Sequence, residues 1–301
     1  MLLKIAKTTV LLAVTSATLN ASSFNVQAEK DRKALIKYTI AKFSEPVKNQ
    51  YSYFPYNSEE ELSKWNKVST IQEFSSGTYS FDGIGKISRD DMMEMPPFEE
   101  NIESAEILYN KHFKTCFPNP EIAGEYPKFN EKTGKVDTLS EAIVDCATKA
   151  GLKTGKKGWN YKTGLTTDLQ AYFAYMSQEA EKKVNIKIES KAAAKAYEHG
   201  RDEFYTQRGY LELSCASCHV QGAGQRVRLQ YLSPVLGHVT HFPVYRTGKG
   251  KMFTLEGRLG GCNRDTGEKQ HKPNSDWSSD VLYFMAYMSN GLSLTGPDVR
   301  R

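Results

Sequence analysis

Ser214-Cys215-Ala216-Ser217-Cys218-His219 is the stretch whose reading decides the fold. Cys-x-x-Cys-His sets two thiols one helical turn apart, so both reach the vinyl groups of one haem as thioethers, and it aims the adjacent His219 at the iron. A thioredoxin-like redox pair or half of a zinc site would also use Cys-x-x-Cys. No second Cys-x-x-Cys and no His-x-x-x-His completes a zinc set, so the histidine tips the reading toward covalent haem. One axial position on the iron is then left open, and its occupant decides the function.

Outward from the motif, the chain repeats itself. Asp168-Leu-Gln-Ala-Tyr-Phe-Ala-Tyr-Met-Ser177 aligns without gaps to Asp280-Val-Leu-Tyr-Phe-Met-Ala-Tyr-Met-Ser289, each near a tryptophan (Trp159, Trp277) and after a cysteine (Cys146, Cys262). Glu106-Ile-Leu-Tyr109 ahead of Cys116 echoes Asp202-Glu-Phe-Tyr205 ahead of Cys215. The pattern predicts a duplicated helical unit, mainly α, of two tandem cytochrome c-like domains: the first without haem, the second with one haem c. The boundary falls in the charged stretch Glu179 to Glu189, ahead of an Ala-rich helix over Ser190 to Tyr205. Residues 29–185 make an N-terminal extension plus the haemless domain, and residues 186–301 make the haem domain. Within the extension, Ala34 to Phe43 reads as a helix, Tyr51 to Tyr56 as an aromatic turn and Met92 to Pro97 as a loop, all expected to pack on the first half.

Residues 1–28 read as an export signal. Lys4 and Lys7 precede the mostly apolar Thr8 to Val14, and Val26-Gln27-Ala28 offers small-residue cleavage. That apolar stretch is too short to span a bilayer, and no later one is long enough, so no membrane span is expected after cleavage. Covalent haem attachment also points outside the cytoplasm, hence to the periplasm. The formal charge of +5 falls to +3 without Lys4 and Lys7. This is too small and mixed in sign to argue for nucleic acid, though it suits a small anion.

The first half has Cys116-Phe-Pro-Asn-Pro where a haem motif would lie, and Cys146 near the position matching Cys262. An oxidising compartment favours a Cys116–Cys146 disulfide over two free thiols. Its loop of about 30 residues is worth roughly 3 kcal/mol. Cys262 is then left alone in Arg258-Leu-Gly-Gly-Cys262-Asn-Arg264. Gly260 and Gly261 permit close backbone approach, and Arg258, Arg264, Lys249 and Lys251 supply the positive field that favours a thiolate. Cys262 is a candidate sixth ligand to the iron. Met252, Met285, Met288, His238 and His241 remain alternatives, with Met288 better read as core and Gly237 to Pro243 as a loop at the pocket.

Cys215-x-x-Cys-His219, His241-Phe-Pro-Val-Tyr-Arg246, Arg258-Leu-Gly-Gly-Cys262-Asn-Arg264 and Gly296-Pro-Asp-Val-Arg-Arg301 together resemble the SoxA family from about residue 95 onward. These are the catalytic cytochrome subunits of the SoxAX complexes of periplasmic thiosulfate oxidation. The resemblance implies an L-cysteine S-thiosulfotransferase subunit that joins thiosulfate oxidatively to a cysteine of the SoxYZ carrier. Cys262 would be catalytic residue and axial ligand, commonly a persulfide, opposite His219, with Arg258 binding substrate. Two-haem members carry Cys-x-x-Cys-His in both halves, so this chain resembles the single-haem branch with a disulfide in place of the first haem. Making one S–S bond releases two electrons and one iron takes one. A second haem is therefore expected in a heterodimeric SoxX-type monohaem cytochrome c, with a downstream cytochrome c beyond it. Arg246 reads mainly as a haem propionate partner, a role also open to Arg258. Two other functions compete: a plain electron-transfer cytochrome with Met or His on the iron, and a haem-bearing structural subunit whose active site lies in a partner.

Overall fold

The structure, a computed structural model, describes residues 23–44, 66–155, 158–227 and 230–300. The apolar stretch Thr8 to Val14 and the aromatic stretch Tyr51 to Tyr56 lie outside them. Helix α1 (Val26–Phe43) buries Leu35, Thr39 and Phe43 at four-residue spacing. It already includes Val26 to Ala28, with Ala28 buried, so the expected cleavage point falls in its first turn. A 3-10 stretch (Ile71–Ser80) leads to α2 (Gly83–Met93), whose cap Asp82 accepts a hydrogen bond from the Gly85 amide. Met92 and Met93 therefore end a helix, and the expected loop starts only at Glu94.

The first half then follows. Helix α3 (Glu99–Leu108) runs on through one wide turn to Phe113. An antiparallel hairpin of β1 (Lys128–Asn130) and β2 (Lys135–Asp137) precedes α4 (Leu139–Lys149) and α5 (Leu165–Glu179). The second half repeats the order with α6 (Lys191–Tyr205), capped by the Ser190 side chain. A short ribbon of β3 (Arg226–Val227) and β4 (Gln230–Tyr231) comes next. Then come β5 (Val244–Arg246), β6 (Lys251–Phe253), α7 (Leu255–Asp265), α8 (Asp276–Met288) and β7 (Asp298–Arg300). The last sheet has the order β6-β5-β7, with β7 parallel to β5.

The duplication is tighter than the sequence pattern suggested. Residues 126–146 and 242–262 superpose in element order residue for residue. Each has a cis X-Pro bond (Pro127, Pro243), a hairpin closed at a left-handed glycine (Gly134, φ 69°; Gly250, φ 61°) and a threonine N-cap (Thr138, Thr254). An 11-residue helix follows, with its cysteine at the same position. Both cap hydroxyls accept from the backbone amide three residues on, Glu141 at 3.2 Å and Gly257 at 3.1 Å. In each half the first helix crosses the last, α3 against α5 and α6 against α8. Burial shifts the upstream alignment by one residue. Tyr109 is 3 % exposed and Tyr205 is 46 % exposed, so Tyr109 corresponds to Phe204 (0 %) and not to Tyr205.

Two cores result. Tyr109, Phe113, Phe117, Ile143, Trp159 and Phe173 fill the first half. Tyr197, Phe204, Phe284 and Tyr287 centre the second, each fully buried aromatic contributing on the order of 2 kcal/mol. The extension joins the second core and not the first, contrary to expectation: Leu35, Phe43, Phe74 and Phe81 pack there. The physical reason lies in α8, which is apolar nearly all round and buried from Ser278 to Met288, so it needs cover on its outer face as well. Helix α5, whose Leu165 and Tyr175 each stay 40 % exposed, does not. Tyr287 donates to Glu29 at 2.8 Å, and Arg89 reaches the fully buried Asp298 at 2.8 Å, tying the extension to the haem-motif half at both ends. Among the described residues no helix is long and apolar enough to cross a membrane.

Candidate functional site

The Cys-x-x-Cys-His segment forms one capped turn. Ser214 Oγ accepts from the Ser217 amide at 3.0 Å, and the Ser214 amide donates to Ser217 Oγ at 3.1 Å, a reciprocal pair that starts the helix at Cys215. Cys215 and Cys218 face a cavity of about 850 Å³ that Cys262 also lines. All three are free thiols. Cys116 and Cys146, in contrast, are joined in a disulfide in the first core.

His219 lines the same cavity. Its Nδ1 lies 2.8 Å from the Ser233 carbonyl oxygen, which fixes that nitrogen as the N–H donor and leaves Nε2 free with its lone pair. Burial pushes the imidazole down to about 4, so it is neutral, the form that ligates metal. Ser233 Oγ in turn bonds His238 Nε2 at 3.0 Å. The His219 and His238 rings stand edge-on with centroids 4.3 Å apart. Two imidazoles on opposite sides of one metal need about 4 Å between their nitrogens alone, with the ring centres farther still. His238 therefore stands beside His219 and not across an iron from it.

Cys262 sits on α7, a regular helix, and the close backbone approach expected at its glycines is not what they provide. Gly260 and Gly261 meet no backbone from elsewhere. A Cβ at Gly261 would lie 3.2 Å from an Arg258 guanidinium nitrogen, so the glycine lets Arg258 lie along the helix beside Cys262. Leu255, Arg258, Leu259 and Cys262 share the cavity face. Arg258 makes no hydrogen bond or ion pair with another described side chain, and Arg246, half-buried on β5, has an unpartnered Nε. Burial and the neighbouring Arg258 hold Arg246 below the usual guanidinium range, while Cys262 opposes this, so the three groups are mutual neighbours. Lys249 also lines the cavity. Arg264 instead pairs with Asp265 at 3.3 Å, and Lys251 lies over Phe253, so neither belongs to the site.

The alternative ligands separate in space. Met285 and His241 line the cavity, whereas Met252 packs with Phe98, Ala171 and Val299, and Met288 is core. Three cavity residues escaped the sequence reading: Ser233, Asn263 (whose Nδ2 is buried without a partner) and Arg300, held by Asp298 at 2.7 Å and stacked on Tyr79. No sequence signal marks Ser233, and Asn263 was visible only as part of the motif around Cys262. Arg300 was visible only as part of the C-terminal motif.

The cavity fits a covalently attached haem: two thiols one turn apart, a free imidazole Nε2, and unpartnered cationic and polar atoms (Arg246 Nε, Asn263 Nδ2) suited to anionic propionates. Among the described residues no group of three or more His, Cys, Asp or Glu is arranged to hold a bare metal ion.

Comparison with known proteins agrees. The L-cysteine S-thiosulfotransferase subunit SoxA of Chlorobaculum tepidum is 38 % identical over 238 residues, 77 % of this chain and 81 % of that one. The chain belongs to the SoxA family. The Allochromatium vinosum SoxA is 38 % identical over 236 residues, 76 % of this chain and 83 % of its own. The crystal structure of SoxXA from P. pantotrophus matches with a TM-score of 0.58 and 28 % identity, covering 71 % of this chain and 83 % of that one. The family model described as SoxA/TsdA, cytochrome c domain matches residues 99–181, the half that lacks the haem motif. This SoxA-family chain thus contains a cytochrome c domain, which implies covalently bound haem c.

Proposed function

We propose that this chain is the catalytic subunit of an L-cysteine S-thiosulfotransferase, with one haem c held by Cys215 and Cys218, ligated by His219 and Cys262. The observation that carries the reading is the meeting of Cys262 with the haem-motif thiols and two unpaired arginines in one cavity. Arg258 binds the sulfonate end of thiosulfate through its planar fork of donors. The half spanning residues 29–185 carries no haem, its Cys116–Cys146 disulfide standing where a haem would be. Residues 1–28 direct export to the periplasm, where the chain pairs with a SoxX-type monohaem cytochrome c and passes electrons to a downstream cytochrome c.

The chemistry divides into two balanced steps. The Cys262 thiolate and the outer sulfur of thiosulfate form an S–S bond, releasing two electrons. The thiolate of a SoxYZ carrier cysteine then attacks that outer sulfur, giving the carrier S-thiosulfonate and returning the Cys262 thiolate. A haem held by Cys215, Cys218 and His219 would supply a one-electron acceptor beside the sulfur, so a second acceptor in the cytochrome partner would be needed for the two-electron balance. Arg258 and Arg246 stabilise the dianion and the thiolate together.

The test is the electron paramagnetic resonance spectrum of the oxidised holoprotein beside its Cys262→Ala variant. A low-spin thiolate-type signal that disappears in the variant, together with lost thiosulfate turnover and intact haem attachment, is the expected result. A His/Met or His/His signal unchanged by the substitution would leave a plain electron carrier, with Met285 or His241 as the sixth ligand.

A further inference from the structure

His238 is a buried imidazole that the proposed chemistry does not use. It lines the cavity, and its Nδ1 is buried without a hydrogen-bond partner. Standing beside His219, it is out of place as a ligand on the far side of an iron held there. What it touches instead is the machinery that orients His219.

The loop between β4 and β5 grips His219 at ring and backbone. The Ser233 carbonyl accepts the ring Nδ1–H at 2.8 Å, and the Val235 amide donates to the His219 carbonyl at 2.9 Å. His238 closes this loop on itself. Its amide donates to the Val235 carbonyl at 3.1 Å, and its Nε2 shares a hydrogen bond of 3.0 Å with Ser233 Oγ. Its ring meets the His219 ring edge-on, at 74° and 4.3 Å between centroids. His219, Ser233 and His238 therefore form a closed triangle of contacts.

The triangle has stiff support. Pro234 fixes its own φ and keeps Ser233 out of the helical region. Gly237, at φ 82°, lies so close to the extension that a Cβ would stand 2.0 Å from the Phe74 carbonyl oxygen. Its amide donates to Ser289 Oγ at 3.1 Å, and Thr240 Oγ reaches the Ser75 carbonyl at 2.6 Å. The loop is thus pinned between the extension and the end of α8. An imidazole gripped in this way cannot turn about a bond to a metal without moving buried backbone.

We propose that His238 is a positioning residue for the axial ligand. Through Ser233 and its own ring edge it fixes the rotation of the His219 imidazole and the strength of the Nδ1–H···O bond. A firm bond there makes Nε2 a more basic ligand and lowers the reduction potential of an iron bound to it. The inference rests on the reading of His219 as a haem ligand and is independent of the ligand on the opposite face.

The experiment uses the full chain, haem-loaded and with its cytochrome partner, in the variants His238→Phe and Ser233→Ala. The first keeps a ring against His219 and removes the bond to Ser233; the second removes one hydroxyl and leaves the orienting carbonyl. The control is Phe113→Leu, which loosens the first core far from the loop. Both loop variants are expected to shift the g values of the oxidised low-spin haem and to raise its reduction potential. Phe113→Leu is expected to lower Tm and leave g values and potential as in wild type. A folded His238→Phe protein with wild-type g values and potential would overturn the proposal, as would the same shifts in Phe113→Leu. Should His238→Phe fail to fold, Ser233→Ala decides by the same criterion. A wild-type spectrum without a thiolate-type signal would overturn the role of Cys262 and leave this inference standing. A spectrum without a histidine-ligated haem would overturn both.

Discussion

Gly200→Ala tests the helix crossing that walls the haem-motif cavity. Gly200 lies on α6 where it meets α8, and a Cβ there would stand 1.9 Å from the Asp280 carbonyl oxygen and 2.4 Å from its carbon. Even a close carbon–oxygen contact needs about 3.3 Å, so the helices must part by more than about 1 Å. The obstacle is backbone, which cannot turn aside as a side chain would. Overpacking of this kind costs about 1–3 kcal/mol, here toward the upper end, against about 0.5–1 kcal/mol that alanine gains over glycine within a helix. The net loss of about 2 kcal/mol lowers Tm by about 4–8 °C for a chain of this size. Parting the helices also stretches the 2.7 Å bond between His199 Nδ1 and Asp280. The assay is thermal unfolding of the holoprotein, followed by circular dichroism and by the haem Soret band. A variant within about 1 °C of wild type in both signals would refute the reasoning. In the first half the crossing already accommodates a methyl at the fully buried Ala105, so Ala105→Gly is the matched comparison and should cost only about 1 kcal/mol.

Replacing Cys116 and Cys146 together by alanine opens a loop with a sequence separation of 30 residues and should cost about 3 kcal/mol, a Tm drop of about 6–12 °C. The haem spectrum should persist, and a spectrum that changes while Tm does not would refute the separation of roles. Burial, with Asp137 and Asp145 nearby, pushes the Glu141 carboxyl up from 4.5 to about 7. The folded chain then binds this proton more tightly than the unfolded chain, so its contribution to stability falls as pH rises from about 4.5 to 7. Glu141→Gln should remove about 1 kcal/mol of that slope, allowing for solvent screening; denaturant midpoints of both proteins at pH 5.5 and 7.5 that move in parallel would contradict this.

The parts legible in the sequence were those set by local chemistry or strong periodicity. Cys215, Cys218 and His219 announced their turn, Ser190 marked the start of α6, and the matched aromatic runs located α5 and α8. The cysteine pairing followed from compartment and count, and the structure contains that bond. The hairpins β1–β2 and β5–β6 were not legible, because strands of three residues are too short to show alternation. The helix around Cys262 was not marked out in the sequence, since Gly260 and Gly261 are weak helix formers; the Thr254 cap and the apolar Leu255 and Leu259 on one face override them. The side taken by the extension depended on the unmatched outer face of α8, a tertiary demand that no local window shows. Ser233 reaches His219 from the loop between β4 and β5, which only the folded chain reveals, whereas Asn263 lies beside Cys262 on α7.

The matched positions of Cys146 and Cys262 have a consequence for how the chain matures. Duplication hands a protein two copies of the same sulfur on the same helix, and in an oxidising medium these are hazards to each other as well as resources. Cys146, 2 % exposed, is committed within its own half to Cys116. Once that bond closes, the remaining half holds Cys215, Cys218 and Cys262 around one cavity. Attachment of a haem through the first two would then strip Cys262 of every partner within the chain. Its sulfur would then be left for the chemistry proposed above, with every other cysteine of the chain committed.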